Sequence, residues 1–209
     1  MSRQCDAFAE NDTGMYKLSI PTGGGKTLAS LRFALKHAKK KGKERIIYIV
    51  PYTTVIEQNA KTVRDILNDD ENILEHHSNI IEDWDKKGVG EQNSENLNNY
   101  STEKTIRLTK DNWESSIIFT TMVQFLEVIY GSGTRRVRRF HNLANAVIIF
   151  DEVQTVPLKC VSMFNEALNY LKDCMNSTLV LCTATQPALN DVEKKLNIAP
   201  GAEMIKNIP

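Results

Sequence analysis

Ile20-Pro21-Thr22-Gly23-Gly24-Gly25-Lys26-Thr27 is the stretch whose reading decides the fold. It follows Tyr16 to Ile20, where apolar residues at 16, 18 and 20 alternate as in a strand. It precedes a run with Leu28, Leu31, Leu35 and Ala38 at helical spacing. Strand, glycine loop, Lys-Thr and helix, in that order, is the context in which a loop wraps a phosphate. Three glycines let the backbone curl until successive N–H groups point at one anion. The helix start adds its positive dipole end to the same place. Thr22, Gly23, Gly24, Gly25, Lys26 and Thr27 are therefore the candidate nucleotide-holding residues. Lys26 can reach the β- and γ-phosphates, and the Thr27 hydroxyl can hold Mg²⁺. The general pattern G-x-x-x-x-G-K-[ST] asks for glycine at position 20, where this chain has Ile20. That position ends the strand and does not wrap the phosphates.

Working outward, the same alternation of elements repeats. Ile46–Val50 is a continuous apolar run, as in a parallel strand covered on both faces. Pro51-Tyr52-Thr53-Thr54 then turns into a helix with Ile56, Ala60, Val63 and Leu67 inward. Ile117–Phe119 is a short buried strand ending in Thr120-Thr121, followed by a helix with Phe125 and Ile129. Gly131 to Phe140 reads as a basic loop, in which Arg135, Arg136, Arg138 and Arg139 form either a local nucleic-acid patch or a merely solvated stretch. Ala146–Phe150 delivers Asp151-Glu152, and a helix with Val161, Phe164, Leu168 and Leu171 on one face follows. Thr178–Cys182 is a fifth strand ending in Thr183-Ala184-Thr185, before a last helix with Leu189, Val192 and Leu196. Residues 82–104 are rich in Asn, Glu, Lys and Gly and read as a mobile insert. The fold class expected is α/β: a phosphate-loop domain with a mainly parallel sheet of at least five strands and helices on both faces. In such sheets ligands sit beyond the carboxyl ends of the strands, where every polar motif here falls.

Bulk properties narrow the classes. At 209 residues the chain holds one full domain, or two small ones at most. Its 26 basic and 26 acidic residues cancel, so any nucleic-acid site is local rather than a global field. Cys5, Cys160, Cys174 and Cys182 form no C-x-x-C pair and no metal-like spacing, as expected of thiols in a reducing cytosol. No apolar run approaches the roughly 18 residues of a membrane span, and the first residues lack a signal-peptide core. A cytoplasmic location is expected. The Lys39 to Lys43 cluster reads as a solvated helix end near the Gly42 cap. His76-His77 has no adjacent Asp and no helical partner, which favours structural hydrogen bonding over metal binding.

Asp151 and Glu152 complete the chemistry. Two carboxylates at the tip of a buried strand are costly unless they meet a cation or water. Asp151 would hold Mg²⁺, and Glu152 would orient and deprotonate an attacking water. Lys26, Asp151 and Glu152 are the candidate catalytic set, and Thr27 and Asp151 the candidate metal set. Thr183 and Thr185 can bridge the Asp-Glu pair to a neighbouring surface, and Thr185 can also cap the helix that follows. A GTPase is disfavoured, because no guanine-reading motif is evident.

These motifs, in this order, resemble motifs I, Ia, Ib, II and III of superfamily 2 DExD/H-type helicases. They are Pro21 to Thr27, Val50-Pro51-Tyr52-Thr53, Thr120-Thr121, Asp151-Glu152-Val153-Gln154 and Thr183-Ala184-Thr185. The chain is most similar, within that group, to the CRISPR-associated helicase of type I interference systems. Pro21 to Leu35, Arg45 to Thr53, Ile56-Glu57-Gln58-Asn59-Ala60, Glu75 to Asn79 and Phe150 to Pro157 carry the likeness. The resemblance implies the first RecA-like domain of an ATP-dependent DNA helicase-translocase that moves on or unwinds single-stranded DNA in defence against foreign DNA. It implies ATP and Mg²⁺ as cofactors. Pro51, Tyr52, Thr53, Thr120 and Thr121 would touch the sugar-phosphate backbone. Gln154, Thr183 and Thr185 would couple hydrolysis to movement, with Gln154 standing where relatives have Asp or His. Expected partners are single-stranded DNA, a second RecA-like domain, a nuclease domain and a type I interference complex. The chain itself reads as one RecA-like domain over residues 1–209, without the second domain, its arginine finger or the HD nuclease. Two alternatives remain: a nucleotide- and nucleic-acid-binding module with little hydrolysis, or a related RNA helicase domain. Gln4 is a weak candidate for reading adenine.

Overall fold

A computed structural model describes residues 2–21, 23–77, 112–183 and 192–205, with the side chains of Ser2, Arg135 and Arg136 excepted. The expected insert, Thr22, Thr185 and the start of the expected last helix lie outside them. Six strands form one parallel sheet: β1 (Met15–Ser19), β2 (Arg45–Val50), β3 (Ile73–His76), β4 (Ile117–Thr121), β5 (Ala146–Phe150) and β6 (Thr178–Thr183). Their order is β1-β6-β5-β2-β4-β3. The RecA-like α/β class is as the pattern of strands and helices predicts. β3, four residues long, is an addition to the five strands legible in sequence.

Period-two alternation builds two cores from each central strand. Ile46, Tyr48 and Val50 of β2 face α1 (Ser2–Phe8), α2 (Lys26–Lys41) and α3 (Thr53–Leu67). Ile47 and Ile49 face α4 (Met122–Tyr130) and α6 (Val161–Asp173). Between these two helices lies the short α5 (Thr134–Phe140). Stacked Tyr48 and Phe119 rings, 4.8 Å apart, join neighbouring strands inside the first core. Burial pushes the Tyr48 phenol far above its ordinary pKa, so it stays neutral and meets the Ser30 hydroxyl at 3.3 Å.

Several sequence expectations change here. α2 does not turn Leu28 and Leu35 inward; they are 50% and 38% exposed. The buried face holds Ser30, Leu31, Phe33, Ala34 and His37. Polar residues qualify as core because they find partners: His37 meets the Ala9 carbonyl at 3.1 Å and the Thr178 hydroxyl at 2.8 Å. The helix ends at Gly42, left-handed at φ 63°, as expected. Its lysines are not merely solvated. Lys40 pairs with Glu10, Lys41 with Asp12 at 2.8 Å, and Lys43 is buried, donating to Thr13 Oγ1 and the Asn176 carbonyl.

The expected basic loop contains the helix α5. Arginine is a good helix former, and the helix docks through Phe140, stacked on Tyr170 at 6.2 Å. Arg139 is buried with its guanidinium 5.9 Å from the Trp113 ring centroid, so it does not belong to a surface patch. Arg138 is exposed. Residues 192–199 are bends and irregular chain, so Val192 and Leu196 are not helical. They pack against the second core all the same. The segment after them covers the free edge of β1: Lys17 N donates to the Ala202 carbonyl at 2.8 Å, and Met204 N to the Lys17 carbonyl at 2.9 Å. Among the described residues no helix is long and apolar enough to cross a membrane.

His76 ends β3 in a buried position, edge-on to Trp113 at 5.4 Å and 3.4 Å from the Thr120 hydroxyl. Burial, then the Arg139 and His77 charges, lowers its pKa from 6.5 to about 3. The folded protein keeps this ring neutral while the unfolded chain takes up a proton below its ordinary value. Stability is therefore retained above pH 6.5 and lost as pH falls from there toward 3. Urea unfolding should show a His76 contribution of about 2 kcal/mol lost by about pH 5, at ~1.4 kcal/mol per pH unit. In His76→Gln the decline over that interval should be shallower by that amount. An equal decline in both proteins would remove the histidine from the account.

Candidate functional site

The strand order assembles the site. β6 lies between β1 and β5, so Ser19 stands opposite Thr183, and Phe150 opposite Leu181. The glycine loop leaves β1 on one side of Thr183, and Asp151-Glu152 leaves β5 on the other. Lys26 and Glu152, 126 positions apart, meet in a hydrogen-bonded ion pair between Nζ and Oε1. Asp151 Oδ1 lies 4.0 Å from the same ammonium. All three side chains are largely shielded from solvent.

Local structure holds each group. Gly23 and Gly25 adopt φ of 79° and 75°, which favours glycine. At Gly24 the reason is space: a Cβ would lie 2.6 Å from the Ile20 side chain and 2.9 Å from the Pro21 carbonyl. Gly25 caps the 16-residue α2 with no side-chain hydrogen bond to the helix start. A tight exposed loop feeding an N-terminus that no side chain caps fits a phosphate. Glu203 steadies the loop's approach by accepting from Ser19 N at 3.1 Å and Ser19 Oγ at 2.9 Å.

On the acidic side, Asp151 N donates to the Ile49 carbonyl at 2.8 Å, and Glu152 N to Asp151 Oδ1 at 3.0 Å. Glu152 itself is left-handed, at φ 50°, which turns its carboxylate back toward Lys26. Burial raises the Asp151 pKa, and the Lys26 charge opposes that shift. Two carboxylates against one ammonium leave the cluster a net anion, which suits a divalent cation beside Thr27 and Asp151. Among the described residues, no group of three or more His, Cys, Asp or Glu is placed to hold a metal by protein side chains alone.

Gln154 joins the strands. Its amide donates from Nε2 to Glu152 Oε2, and its Oε1 accepts from Thr183 Oγ1 at 2.9 Å. Lys26, Glu152, Gln154 and Thr183 thus form one continuous chain of contacts across β1, β5 and β6. Gln154 reaches the end of β6 although it departs from the usual Asp or His. Sequence reasoning missed Asn59, whose Oδ1 lies 3.5 Å from Thr27 Oγ1. The signal was present: Asn59 adjoins the inward Ile56 and Ala60 on α3, at the flank of the buried face.

The strand-contacting set is divided. Tyr52 is 64% exposed beyond β2, with Pro51 and Thr53 partly exposed beside it. Thr120 is fully buried, with its hydroxyl near His76, so its side chain does not reach the surface. The Thr121 hydroxyl caps α4 by accepting from Gln124 N at 3.2 Å. Gln4 is exposed on α1.

The model of the DEAD/DEAH box helicase family matches residues 3–193. This chain belongs to that family. Its fold is the first RecA-like domain of a superfamily 2 helicase. No curated protein matches the sequence at a significant level. Among solved structures, T. fusca Cas3 with ADP is similar at a TM-score of 0.64 and 18% identity, over 88% of this chain and 20% of that one. The DUF1998 helicase MrfA gives 0.58 at 16% identity, over 91% and 27%. The UvsW helicase from bacteriophage T4 gives 0.52 at 14%, over 88% and 51%. At these identities the likeness is one of fold, and this helicase domain spans about a fifth of the Cas3 chain.

Gln154 satisfies two partly buried polar groups at once, one of them charged. Gln154→Ala should lower stability by about 1–3 kcal/mol, the usual cost of leaving such groups unpaired. Urea unfolding at neutral pH measures it. A loss within ~0.5 kcal/mol, typical of surface changes, would mean that water replaces the amide without penalty.

Proposed function

We propose that this helicase domain is the ATP-binding motor half of a CRISPR-associated DNA helicase-translocase. In this reading it uses ATP hydrolysis to move on or unwind single-stranded DNA in defence against foreign DNA. The observation that carries the proposal is the meeting of Lys26 with Asp151-Glu152 beside a glycine loop that opens a helix. The family match and the fold shared with Cas3, whose structures include ADP and ATP forms, support it. A second RecA-like domain, a nuclease domain and a type I interference complex are its proposed partners.

The residues act in a defined order in this mechanism. Backbone N–H groups of Gly23, Gly24 and Gly25 receive the phosphates, and Lys26 turns from Glu152 toward them. Thr27 and Asp151 would hold Mg²⁺, which neutralises phosphate charge when bound. Before that turn, Lys26 and Gln154 each donate to one oxygen of Glu152. Release by Lys26 frees Oε1 to accept the proton of an attacking water, while Gln154 keeps the carboxylate in place. Thr183 carries the position of Gln154 to β6. Lys26 activation of the phosphates and Glu152 activation of water are thereby tied to one side-chain movement.

Phosphoryl transfer also draws on an arginine finger, which is worth on the order of 10³–10⁵ in rate in related NTPases. In this proposal the finger comes from the second RecA-like domain. The chain alone should bind Mg²⁺-ATP in calorimetry, and Lys26→Ala should abolish binding without unfolding the domain. Its turnover with saturating Mg²⁺-ATP and single-stranded DNA should be low. Supplying the second domain should raise turnover steeply, and Glu152→Gln should remove the gain. Unchanged affinity in Lys26→Ala would sink the nucleotide assignment, and full turnover by the chain alone would refute the half-motor reading.

A further inference from the structure

The segment 192–205 runs as a strap from α6 to the edge of β1. At its near end, Asn165, Asn169 and Lys172, spaced to share one face of α6, donate to the carbonyls of Lys194, Lys195 and Asn197 at 2.7, 3.0 and 3.0 Å. At its far end Ala202, Met204 and Ile205 are buried. There the strap pairs with β1 through Lys17, whose N–H and carbonyl meet Ala202 and Met204.

Alternate residues of a parallel strand direct both backbone groups to the same side. Lys17 and Ser19 therefore face the strap, while Ile20 N turns the other way and donates to the Thr183 carbonyl of β6 at 3.3 Å. At Ser19 the strap answers with a side chain. Glu203 Oε1 accepts from Ser19 N at 3.1 Å, and Oε2 from Ser19 Oγ at 2.9 Å. A charged acceptor makes hydrogen bonds roughly twice as strong as a neutral one. Ser19 and Ile20 are thus held from opposite sides just where β1 gives way to the glycine loop. Pro21 follows with its φ fixed by the ring, and its carbonyl accepts from Gly24 N at 3.0 Å.

We infer that Glu203 is a positioning residue for the nucleotide site: by gripping both polar groups of Ser19 it fixes the entry of the phosphate loop before nucleotide arrives. The inference rests on the proposed reading of that loop as the ATP site and adds a part to it from a segment far along the chain. Glycine loses more conformational freedom on ordering than any other residue. A loop with three of them, anchored at only one side of its entry, would meet that loss on binding. The grip on Ser19 removes part of it beforehand. A carboxylate near an anion site is unfavourable by charge alone, so the benefit lies in the paired hydrogen bonds.

The test measures binding of a non-hydrolysable ATP analogue with Mg²⁺ to the 209-residue chain by calorimetry, under conditions where urea unfolding shows each variant fully folded. Glu203→Ala should bind roughly 5- to 50-fold more weakly, a loss that a merely structural role would not produce in folded protein. Glu203→Gln, which can still accept from Ser19 N and donate to its hydroxyl, should stay within roughly twofold of the unaltered chain. Ser19→Ala should weaken binding by roughly two- to fivefold, and should add nothing in a Glu203→Ala background, because the hydroxyl acts through the carboxylate. Hydrogen exchange of the Ser19 amide in the nucleotide-free protein should quicken in Glu203→Ala and not in Glu203→Gln. Unchanged affinity in Glu203→Ala overturns the inference and leaves the nucleotide reading standing; no binding by the unaltered chain overturns both. Glu203→Gln as weak as Glu203→Ala makes charge the cause and overturns the positioning role. If Glu203→Ala does not fold, Ser19→Ala decides, and unchanged affinity there overturns the inference.

Discussion

Two carboxylates at the tip of a strand buried on both faces are the constraint around which this domain is arranged. Asp151 and Glu152 follow a β5 with every residue buried. A carboxylate in such a place is desolvated and requires a counter-charge. Lys26 is that counter-charge, although it comes from the opposite side of β6. The pairing therefore depends on the sheet order, on a glycine loop that drops α2 beside Asp151, and on the left-handed turn at Glu152. In the proposed mechanism the ion pair is also what a nucleotide would break to engage Lys26, and the same contact that settles the charges would hold the proposed base at rest.

The sheet divides its carboxyl end into two neighbouring surfaces that share one turn. Beyond β1, β6 and β5 lies the charged cluster; beyond β5, β2 and β4 lies an apolar groove of about 540 Å³, whose lining includes Tyr52, Leu126, Tyr130 and Thr155. The turn after β5 serves both. Glu152 points its carboxylate toward Lys26 and Gln154, and its carbonyl accepts from Thr155 at the end of the groove. Glu152 thus contacts both sides directly. α3 offers a second link. It starts at Tyr52 and carries Asn59 to the hydroxyl of Thr27 about two turns later.

Some elements that sequence reasoning placed differently share one physical cause. Leu28 and Leu35 were inward on hydrophobic periodicity, yet Ser30 and His37 occupy the buried face because Tyr48, Ala9 and Thr178 supply their hydrogen bonds. Arg139 was counted as surface charge, yet it lies inside against Trp113. Thr120 was counted as a contact residue, yet it is a buried partner of His76. In each case a polar side chain found a partner distant in sequence. Periodicity treats polar residues as outward because it has no access to such partners.

The sequence by itself determined the parallel α/β class, the phosphate-type loop and the acidic pair. These depend on local signals: apolar runs of strand length, glycines where φ is positive, and carboxylates at a strand's end. Even the family order of motifs is written along the chain. Only the tertiary structure decided which groups meet. The insertion of β6 between β1 and β5 brings Lys26 to Glu152 and Thr183 to Gln154. Docking of α5 through Phe140 on Tyr170 and the exposure of Tyr52 and Tyr130 along one groove were likewise settled only there. Those outcomes rest on packing between strands far apart in sequence, and spacing along the chain carries no information about which buried faces come to lie against each other.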